Sequence, residues 1–412
     1  MPSAVPSAVP AGAVAPPTSE LPAGCLDDLG RRPFGVYVHV PFCAARCGYC
    51  DFNTYTASEL AGSGASIPGW REALRTELEL AAHVLGTPPT ADTVFVGGGT
   101  PSLLGGDGLA GVLDLVRGTF NLAPGAEVST EANPESTSPE FFAALADAGY
   151  TRVSLGMQSA APHVLAVLDR RHTPGRAVAA AAEARAAGFE HVNLDLIYGT
   201  PGETDADLRA SLDAVLGAGV DHVSAYALIV EDGTALARRV ARGELAAPVD
   251  DVAAQRYELI DEVLSAAGLH WYEVSNWASS PAAWCRHNLG YWVDGDWWGA
   301  GPGAHSHVNG VRWWNVRHPA RYASLLADGH SPAEGREELS PEQRHAERVM
   351  LQTRCSDGVE LDELGAVGRL AAARAAQDGL LDTAAVRDGR AVLTRRGRLL
   401  ANVVIRDLLG WG

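Results

Sequence analysis

The chain of 412 residues contains no lysine, so all 32 of its basic residues are arginines. Without lysine it cannot form a Schiff base between a lysine amine and a carbonyl substrate, and this class of covalent catalysis is excluded. The 50 acidic residues outnumber the arginines and give a net charge of −18. Because such a charge repels the phosphate backbone of nucleic acids, we predict no nucleic-acid partner.

Long hydrophobic runs are also missing. No segment reaches the roughly 18 consecutive apolar residues that a membrane-spanning helix needs, and no signal-peptide pattern is found near the first residue. Residues 1–30 are rich in proline, alanine and serine, which predicts a disordered tail. We therefore expect a cytoplasmic protein that does not span a membrane, in a reducing compartment where cysteines serve metals rather than disulfides.

Only six cysteines are present, and three of them, Cys43, Cys47 and Cys50, stand close together with the spacing CxxxCxxC. Cubane iron–sulfur clusters usually take four thiolates, so three cysteines predict a 4Fe-4S cluster with one iron open to another ligand. Two other interpretations remain, a structural zinc site completed by His39 and three buried thiols without a metal. The other cysteines are scattered singly and offer no second half of a zinc site: Cys25, Cys285 and Cys355.

Short β-branched stretches alternate with alanine- and leucine-rich stretches of helical periodicity from residue 34 to about residue 228. Six βα repeats imply a parallel sheet, and we predict an α/β fold in which residues 31–265 form a partial (βα)6 TIM-like barrel. The predicted strands are residues 35–40, 92–96, 126–131, 151–155, 191–196 and 221–228, and examples of the predicted helices are residues 70–85 and 174–187.

Polar residues follow these strands at the points where the strands end. In barrels of this kind the chemistry lies at the carboxyl ends of the strands, so such residues are candidates for a site. Together with the three cysteines they would surround one mouth of the barrel. The candidates are Gly98, Gly99 and Thr100 after the second strand, Glu131 at the end of the third, Gln158 after the fourth and Asp195 in the fifth.

These motifs, in this order, resemble the radical SAM superfamily and, within it, the oxygen-independent coproporphyrinogen III oxidase family. The resemblance extends from residue 35 to residue 409. It implies that the three cysteines hold a 4Fe-4S cluster whose open iron binds S-adenosylmethionine (SAM). By motif match, the residues around SAM would be Tyr37, Tyr49, Gly98, Gly99, Thr100, Glu131, Gln158, Arg170 and Asp195.

Two features resemble the haem chaperone branch of that family. The family's dehydrogenases carry a further cysteine two positions after the third, where this chain has Phe52. The run from Cys285 to Trp292 contains His-Asn-x-x-Tyr-Trp, which resembles the motif linked to haem binding in the chaperone branch. The resemblance implies four haem-binding candidates, of which the first is the candidate iron ligand: His287, Asn288, Tyr291 and Trp292.

The motif lies in an aromatic-rich connecting region, residues 266–339. Eight of the ten tryptophans fall within residues 271–314. A flat porphyrin could pack on such a surface, but ordinary core filling is the simpler explanation for the aromatic residues by themselves.

Other side chains of this region compete with His287 for the iron. His305 and His307 are alternative imidazole ligands. Cys285 is an alternative ligand or covalent attachment point, although its surroundings differ from the CxxCH attachment run.

Residues 340–412 are predicted to form a C-terminal α+β domain that is winged-helix-like and similar to the C-terminal domain of the family. Because the chain is acidic, we favour a lid or partner-docking role over DNA binding. The predicted elements are helices at residues 341–352, 361–378 and 395–409 and a hairpin around residues 386–390.

The resemblance implies a binding and transfer protein, a haem chaperone that holds haem, a 4Fe-4S cluster and SAM and passes haem to an acceptor such as a respiratory haem protein. The alternative on the same scaffold is an oxygen-independent coproporphyrinogen III dehydrogenase, which would decarboxylate its substrate by radical chemistry. A third interpretation is a radical enzyme with an unrelated substrate and no bound haem.

Overall fold

The fold is built on strands that lie where the sequence predicts them, with further strands added on either side. The computed structural model describes residues 12–411. The strands are β1 (Ala13–Val14), β2 (Phe34–Val40), β3 (Phe42–Cys43), β4 (Tyr55–Thr56), β5 (Ala91–Gly98), β6 (Leu122–Ala132), β7 (Arg152–Gln158), β8 (His191–Tyr198), β9 (His222–Ala227), β10 (His270–Glu273), β11 (Asn276–Ala278), β12 (Asp296–Ala300), β13 (His305–Val308), β14 (Val311–Asn315), β15 (Ala333–Glu338), β16 (Val359–Glu360) and β17 (Arg390–Ala391).

The helices lie between these strands and in the C-terminal part of the chain. They are α1 (Ile67–Leu85), α2 (Gly105–Thr119), α3 (Pro139–Ala148), α4 (Pro162–Val167), α5 (Arg176–Ala186), α6 (Asp205–Ala218), α7 (Ala235–Ala241), α8 (Asp250–Ala266), α9 (Arg286–Trp292), α10 (Pro319–Ala327), α11 (Pro341–Gln352), α12 (Ala366–Gln377), α13 (Thr383–Arg387), α14 (Arg395–Leu399) and α15 (Ala401–Leu408). Short 3-10 turns cover Pro101–Leu104, Pro134–Ser136, Pro281–Ala283 and Leu361–Glu363. Over the described residues, none of these helices has the length and apolar composition to cross a membrane.

Six parallel strands, β2 and β5 to β9, lie side by side in the order of the sequence. Helices connect them, so the predicted α/β fold with a parallel sheet is confirmed. In the described part of the chain the strands of this sheet pair in one order, with β1 at one end and β10 at the other.

The two faces of this sheet differ in polarity because side chains alternate along a strand. In β2, Val36, Val38 and Val40 are fully buried in the main core, which also contains Trp70 and Leu74 of α1. The residues between these valines belong to the other face, which we call the inner face. The inner face carries polar side chains that hydrogen-bond across strands.

Residues 266–339 extend the sheet at both edges and are not an irregular connection. Strands β11 and β10 continue the sheet beyond β9, and β12 pairs in parallel with β2 before β13 to β15 continue it. Half of the eight tryptophans here are buried and fill the core, Trp277, Trp298, Trp313 and Trp314. These four tryptophans therefore cannot form part of an exposed aromatic surface on which a porphyrin would pack.

The prediction of a disordered tail is wrong for residues 12–30, while residues 1–11 lie outside the described part. Strand β1 pairs with β15, whose edge offers free backbone groups, with Ala13 opposite Arg336. Cys25 is buried, and its thiol donates a hydrogen bond to the Val308 carbonyl oxygen at 3.2 Å. The prediction relied on overall composition and gave no weight to three apolar side chains that pack on the core: Leu21, Leu26 and Leu29.

The C-terminal part is an α+β unit with its own apolar core, as predicted, but its details differ. The predicted hairpin around residues 386–390 is wrong. Helix α13 ends inside it at Arg387 and is capped by the Asp382 carboxylate, which accepts a hydrogen bond from the Ala385 N–H. Strand β17 then pairs with the distant β16. The predicted helix at 361–378 begins with a 3-10 turn before α12, and the one at 395–409 is divided into α14 and α15.

Glu77 joins α1 to the added strands. Its side chain is buried, and its carboxylate accepts hydrogen bonds from the Gly301 N–H at 2.7 Å, the Asn315 amide at 2.6 Å and the Tyr322 hydroxyl. Burial raises the pKa of Glu77 from 4.5 to about 7. The folded chain then binds more protons than the unfolded chain, so the stability this carboxyl adds at low pH is lost as the pH rises through about 7.

We expect Glu77→Ala to lower the free energy of unfolding by about 3 kcal/mol, because it leaves three buried donors without an acceptor. Denaturant unfolding measures the loss. Glu79→Ala is the matched control, since Glu79 lies on the exposed side of the same helix and should change stability by less than about 0.5 kcal/mol. Equal losses in the two variants would contradict this role of Glu77.

Candidate functional site

The three predicted cluster cysteines lie on the loop of residues 43–50, which we call the cysteine loop and which follows β2. All three are half-buried. The backbone fixes the middle of the loop, because the Gly48 N–H donates to the Leu168 carbonyl at 3.0 Å and the Gly48 carbonyl accepts from the Leu236 N–H at 2.7 Å. The cysteines are therefore held at the carboxyl end of the parallel strands, as predicted for a barrel site.

Two of the sulfur atoms accept hydrogen bonds from predicted site residues. The Thr100 hydroxyl donates to Cys43 Sγ at 3.6 Å, and Arg170 Nη1 donates to Cys47 Sγ at 3.3 Å. Burial raises the pKa of Cys43, and it raises the pKa of Cys50 to about 11. Such thiols keep their protons in neutral solution, whereas a coordinated metal deprotonates a thiol outright.

The turn after β5 can be formed only by glycine. A Cβ atom on Gly99 would lie 2.5 Å from the Phe42 carbonyl oxygen and 3.0 Å from Cys43 Sγ. Gly98 has a φ of +112° and donates its N–H to Glu131 Oε2 at 2.9 Å. This turn therefore brings backbone atoms directly against the cysteine loop.

Glu131 and Asp195 place two carboxyl groups on the inner face below that turn. Burial, with a smaller contribution from the nearby Asp195, raises the pKa of Glu131 from 4.5 to about 7, although the hydrogen bond from the Gly98 N–H lowers it. Burial also raises the pKa of Asp195, which accepts hydrogen bonds from the Ser154 hydroxyl at 3.0 Å and the Asn193 amide at 2.7 Å. Glu131 can therefore hold a proton at a pH near neutral.

Gln158, Arg170 and Tyr49 complete the same mouth. Gln158 has a φ of +66°, an unfavourable conformation for a residue with a side chain and one that often marks functional sites. Besides Cys47, Arg170 binds the Gly156 carbonyl through Nη2 at 3.1 Å. Burial is the largest influence on the pKa of Tyr49 and raises it, while Arg170 nearby lowers it.

The zinc interpretation needs His39 as a fourth ligand, and this side chain already takes part in hydrogen bonds within the fold. Both ring nitrogens of His39 are engaged, Nδ1 with the Tyr37 hydroxyl and Nε2 with the Asn53 carbonyl, each at 2.9 Å. Over residues 12–411 no three His, Cys, Asp or Glu side chains converge as the ligands of a single metal ion would. In a cubane with one open iron, each of the other three irons binds a separate thiolate, and the cysteine loop offers three.

Helix α9, which carries the predicted haem motif, covers the opposite end of the inner face. Three paired neighbours on β2, β5 and β6 contact α9: Gly35, Thr93 and Glu127. The cysteine loop follows the end of β2. The two predicted sites therefore share one inner face but lie at its two ends.

His287 is buried on this face and bonded at both ring nitrogens. Nδ1 shares a hydrogen bond with the Thr93 hydroxyl and Nε2 with the Tyr291 hydroxyl, each at 2.8 Å. Its ring stacks on Phe95 with the centroids 5.2 Å apart. Burial lowers the pKa of His287 to about 4, so the imidazole is neutral at pH 7.

The other motif residues differ in what they contact. Asn288 donates to Glu273 Oε1 at 3.0 Å, and Trp292 is half-buried with an indole N–H that has no partner in the described structure. Tyr37, predicted beside SAM, lies between the two sites, because its hydroxyl bonds His39 and its ring lies 6.4 Å from that of His287.

The alternative iron ligands differ from His287 in their hydrogen bonds and in their burial. His307 Nδ1 bonds the Gly295 carbonyl at 2.8 Å, and its Nε2 accepts from the Gly310 N–H at 3.0 Å, so both nitrogens serve the fold. His305 is exposed and stacks on a tryptophan ring. Cys285 is buried, and burial raises its pKa to about 12, which disfavours covalent attachment through this thiol.

Sequence reasoning missed a second set of polar residues on the inner face. Glu127 and Arg152 form a buried ion pair at 2.9 Å beside α9. His222 bonds Asn193 through Nδ1 at 2.7 Å and the Tyr272 hydroxyl through Nε2 at 2.8 Å. The available signal was a charged or ionisable residue near the start of an otherwise apolar strand, which burial makes expensive without a partner.

The fold and this arrangement define the class of protein. Residues 37–215, which include the cysteine loop and the glycine turn, match the family described as the Radical SAM superfamily. The chain is therefore a radical SAM protein, a class that implies a 4Fe-4S cluster and SAM as cofactors. The half-buried cysteines, the glycine turn and the polar mouth fit these two groups.

The chain belongs, within that class, to the HemW family. It is 63% identical to the protein named heme chaperone HemW of Mycobacterium tuberculosis over 391 residues, which cover 95% of this chain and 98% of that protein. It is 31% identical to the heme chaperone HemW of Bacillus subtilis, with 91% of this chain and 98% of that protein covered.

Among solved structures, the chain is similar to the coproporphyrinogen III oxidase HemN of Escherichia coli, described as a radical SAM enzyme. The TM-score is 0.79, and the match covers 94% of this chain and 92% of that chain at 21% sequence identity. At this identity the likeness shows the fold, and it includes both the parallel sheet and the C-terminal part.

We expect Cys47→Ala to prevent assembly of the cluster, because two thiolates cannot hold a cubane with one open iron. Iron and sulfide analysis after anaerobic reconstitution measures the loss. Cys355→Ala removes a buried cysteine of the C-terminal part and should retain the metal. Full iron content in Cys47→Ala would refute this ligand set.

We expect Gly99→Ala to weaken SAM binding by roughly tenfold or more, because its Cβ would push the turn away from the cysteine loop. Calorimetric titration of the reconstituted protein gives the affinity. Gly118→Ala on α2 faces open space and is the control. An unchanged affinity in Gly99→Ala would show that this close approach is not needed for SAM.

Proposed function

We propose that this chain is a haem chaperone, a protein that binds haem on α9 and passes it to an acceptor protein. The observation that carries the proposal is the 63% identity, over nearly the whole chain, to a protein named heme chaperone HemW. The complete His-Asn-x-x-Tyr-Trp run in α9 supports it.

Cys43, Cys47 and Cys50 would hold the cluster, with Thr100 and Arg170 donating hydrogen bonds to sulfur. A bound 4Fe-4S cluster supplies an open iron to which SAM can bind. Glu131, Gln158 and Asp195 would surround SAM on the inner face, and the backbone of the glycine turn would contact it.

His287 would be the iron ligand of the haem. Its imidazole is neutral at pH 7, which is the form that binds a metal. In the described conformation Nε2 is bonded to the Tyr291 hydroxyl, so this hydroxyl must turn away before iron can bind. Phe95 and Tyr37 stack beside the ring and offer aromatic contacts to a porphyrin. Asn288 and Trp292 would line the proposed haem site beside His287.

The acceptor would be a haem protein, for example a respiratory one, and the exchange would take place in the cytoplasm. The acidic surface and the C-terminal α+β unit are consistent with docking of a protein partner rather than a nucleic acid.

Phe52 supports the chaperone over a coproporphyrinogen III dehydrogenase. It lies two residues after Cys50, where the dehydrogenases carry a further cysteine, and 62% of it is exposed. The likeness to HemN shows the fold alone at 21% identity and does not favour dehydrogenase activity.

We expect the anaerobically reconstituted chain to bind haem stoichiometrically without converting coproporphyrinogen III. A haem titration followed in the Soret band, with the porphyrin products analysed in the same tubes, measures both. His287→Ala should abolish the axial imidazole spectrum, and added imidazole should restore it.

The control for this experiment is His330→Ala, which removes an exposed histidine far from α9 in sequence. It should bind haem as the unchanged chain does. Formation of protoporphyrinogen without a stable haem complex would reject the chaperone and support the dehydrogenase.

A further inference from the structure

A buried carboxylate holds the first turn of α9. Glu127 is only 3% exposed, and it accepts hydrogen bonds from the Arg286 N–H at 3.1 Å and the His287 N–H at 3.0 Å. The first N–H groups of a helix have no partner within the helix, so an external acceptor determines how the helix sits. Here that acceptor belongs to β6, on the inner face.

Arg152 of β7 holds the segment just before the helix. Its Nε donates to Glu127 at 2.9 Å, and its Nη2 donates to the carbonyl oxygens of Ala283 at 2.6 Å and Trp284 at 2.9 Å. The ion pair therefore grips the chain on both sides of the start of α9. A buried charge without its partner is strongly unfavourable, so this arrangement leaves the segment little freedom.

The strands β2 and β5 confine one edge of the His287 ring. The Thr93 hydroxyl bonds Nδ1 at 2.8 Å. On the neighbouring strand, a Cβ atom at Gly35 would lie 3.1 Å from Nδ1 and Cε1 of the same ring, and only glycine leaves the space that the ring occupies. The Nδ1 edge is thus enclosed by strands, whereas Nε2 bonds the hydroxyl of Tyr291 one turn later, whose ring packs on Trp297.

We infer that Thr93 and Glu127 are positioning residues that hold His287 so that Nε2 is the nitrogen offered to haem iron. The inference rests on the proposed function, in which His287 is the ligand. A metal-bound histidine commonly donates its second ring N–H to a neighbour, which fixes the tautomer and raises the basicity of the ligand. Thr93 accepts that N–H, and Glu127 fixes the helix from which the ring projects.

Replacement of the Tyr291 hydrogen bond at Nε2 by a bond to haem iron requires no transfer of electrons or protons. With the ring proton on Nδ1, the Tyr291 hydroxyl donates its hydrogen bond to the Nε2 lone pair. When haem binds, that hydrogen bond breaks and the same lone pair forms the bond to iron. The Tyr291 hydroxyl keeps its proton and turns away.

Thr93 is tested with three variants of the full-length chain loaded with haem. Thr93→Val keeps the shape of the side chain but loses the acceptor, and Thr93→Ser keeps the hydroxyl. Ser129→Ala is the matched control, because Ser129 lies on a neighbouring strand with a buried hydroxyl that has no partner in the described structure. Haem transfer to excess apomyoglobin gives the dissociation rate, and Raman spectroscopy of the ferrous complex gives the iron–imidazole stretching frequency.

We expect Thr93→Val to release haem about tenfold faster and to lower the iron–imidazole stretching frequency, because the imidazole becomes less basic. Thr93→Ser should restore both values, and Ser129→Ala should change neither. The stretching frequency is the decisive reading, since a loss of general stability does not alter the basicity of a ligand.

Glu127 is tested by comparing two broken ion pairs. Glu127→Gln removes the charge that faces Arg152, and Glu203→Gln does the same for the buried pair of Glu203 with Arg256, which joins the segment before α6 to α8. Both should lower the thermal stability of the haem-free chain, but only Glu127→Gln should speed haem release. Equal release rates in these two variants would overturn the role of Glu127.

His287→Ala separates this inference from the function on which it rests. If that variant binds haem as the unchanged chain does, the proposed ligand is wrong and the positioning role is wrong with it. If His287→Ala loses the imidazole complex while Thr93→Val and Glu127→Gln keep unchanged release rates and stretching frequency, the haem site stands and the positioning role is overturned.

Discussion

The parallel pairing of β2 with β5 is the constraint on which both sites depend. The register places Gly35 opposite Thr93 at one end and Val40 opposite Gly98 at the other. The first pair encloses the ring of His287, and the second pair leads into the cysteine loop and the glycine turn. Because side chains alternate along a strand, a shift of one residue would turn the inner face outward and disrupt both sites together.

A polar inner face is costly for a sheet whose other face is a hydrophobic core, and the structure offsets this cost by pairing. The Glu127–Arg152 ion pair, the Asp195 carboxyl with its two donors, and the chain of bonds through His222 leave few inner-face groups unsatisfied. Tyr37 connects the two ends, since it lies near His287 and bonds His39. The inner face thus contributes side chains both to the predicted SAM site and to the surroundings of the haem motif, with Tyr37 between them.

Features of this fold are predictable from the sequence when they arise from interactions between residues that are close together in the chain. The six parallel strands were predictable because β-branched residues and the helices between them carry local patterns. The order of residues 12–30 and the pairing of β17 were not predictable from such patterns. Residues 12–30 gain order from the distant edge of β15, and β17 pairs with β16 across three intervening helical elements. The cluster of tryptophans in the sequence was compatible with an exposed aromatic surface, and only the arrangement of the sheet shows that four of them fill the core.

The sequence by itself determined the chemistry that is available. Three cysteines with fixed spacing, a run of glycines at a strand end and the His-Asn-x-x-Tyr-Trp motif are local features, and local spacing suffices to recognise them. Only the tertiary structure decided where they stand. It brought Thr93, Glu127 and Arg152 from three strands to the start of α9 and engaged both nitrogens of His287. No local pattern records such contacts, because they arise when strand register and burial bring residues far apart in the chain to one place.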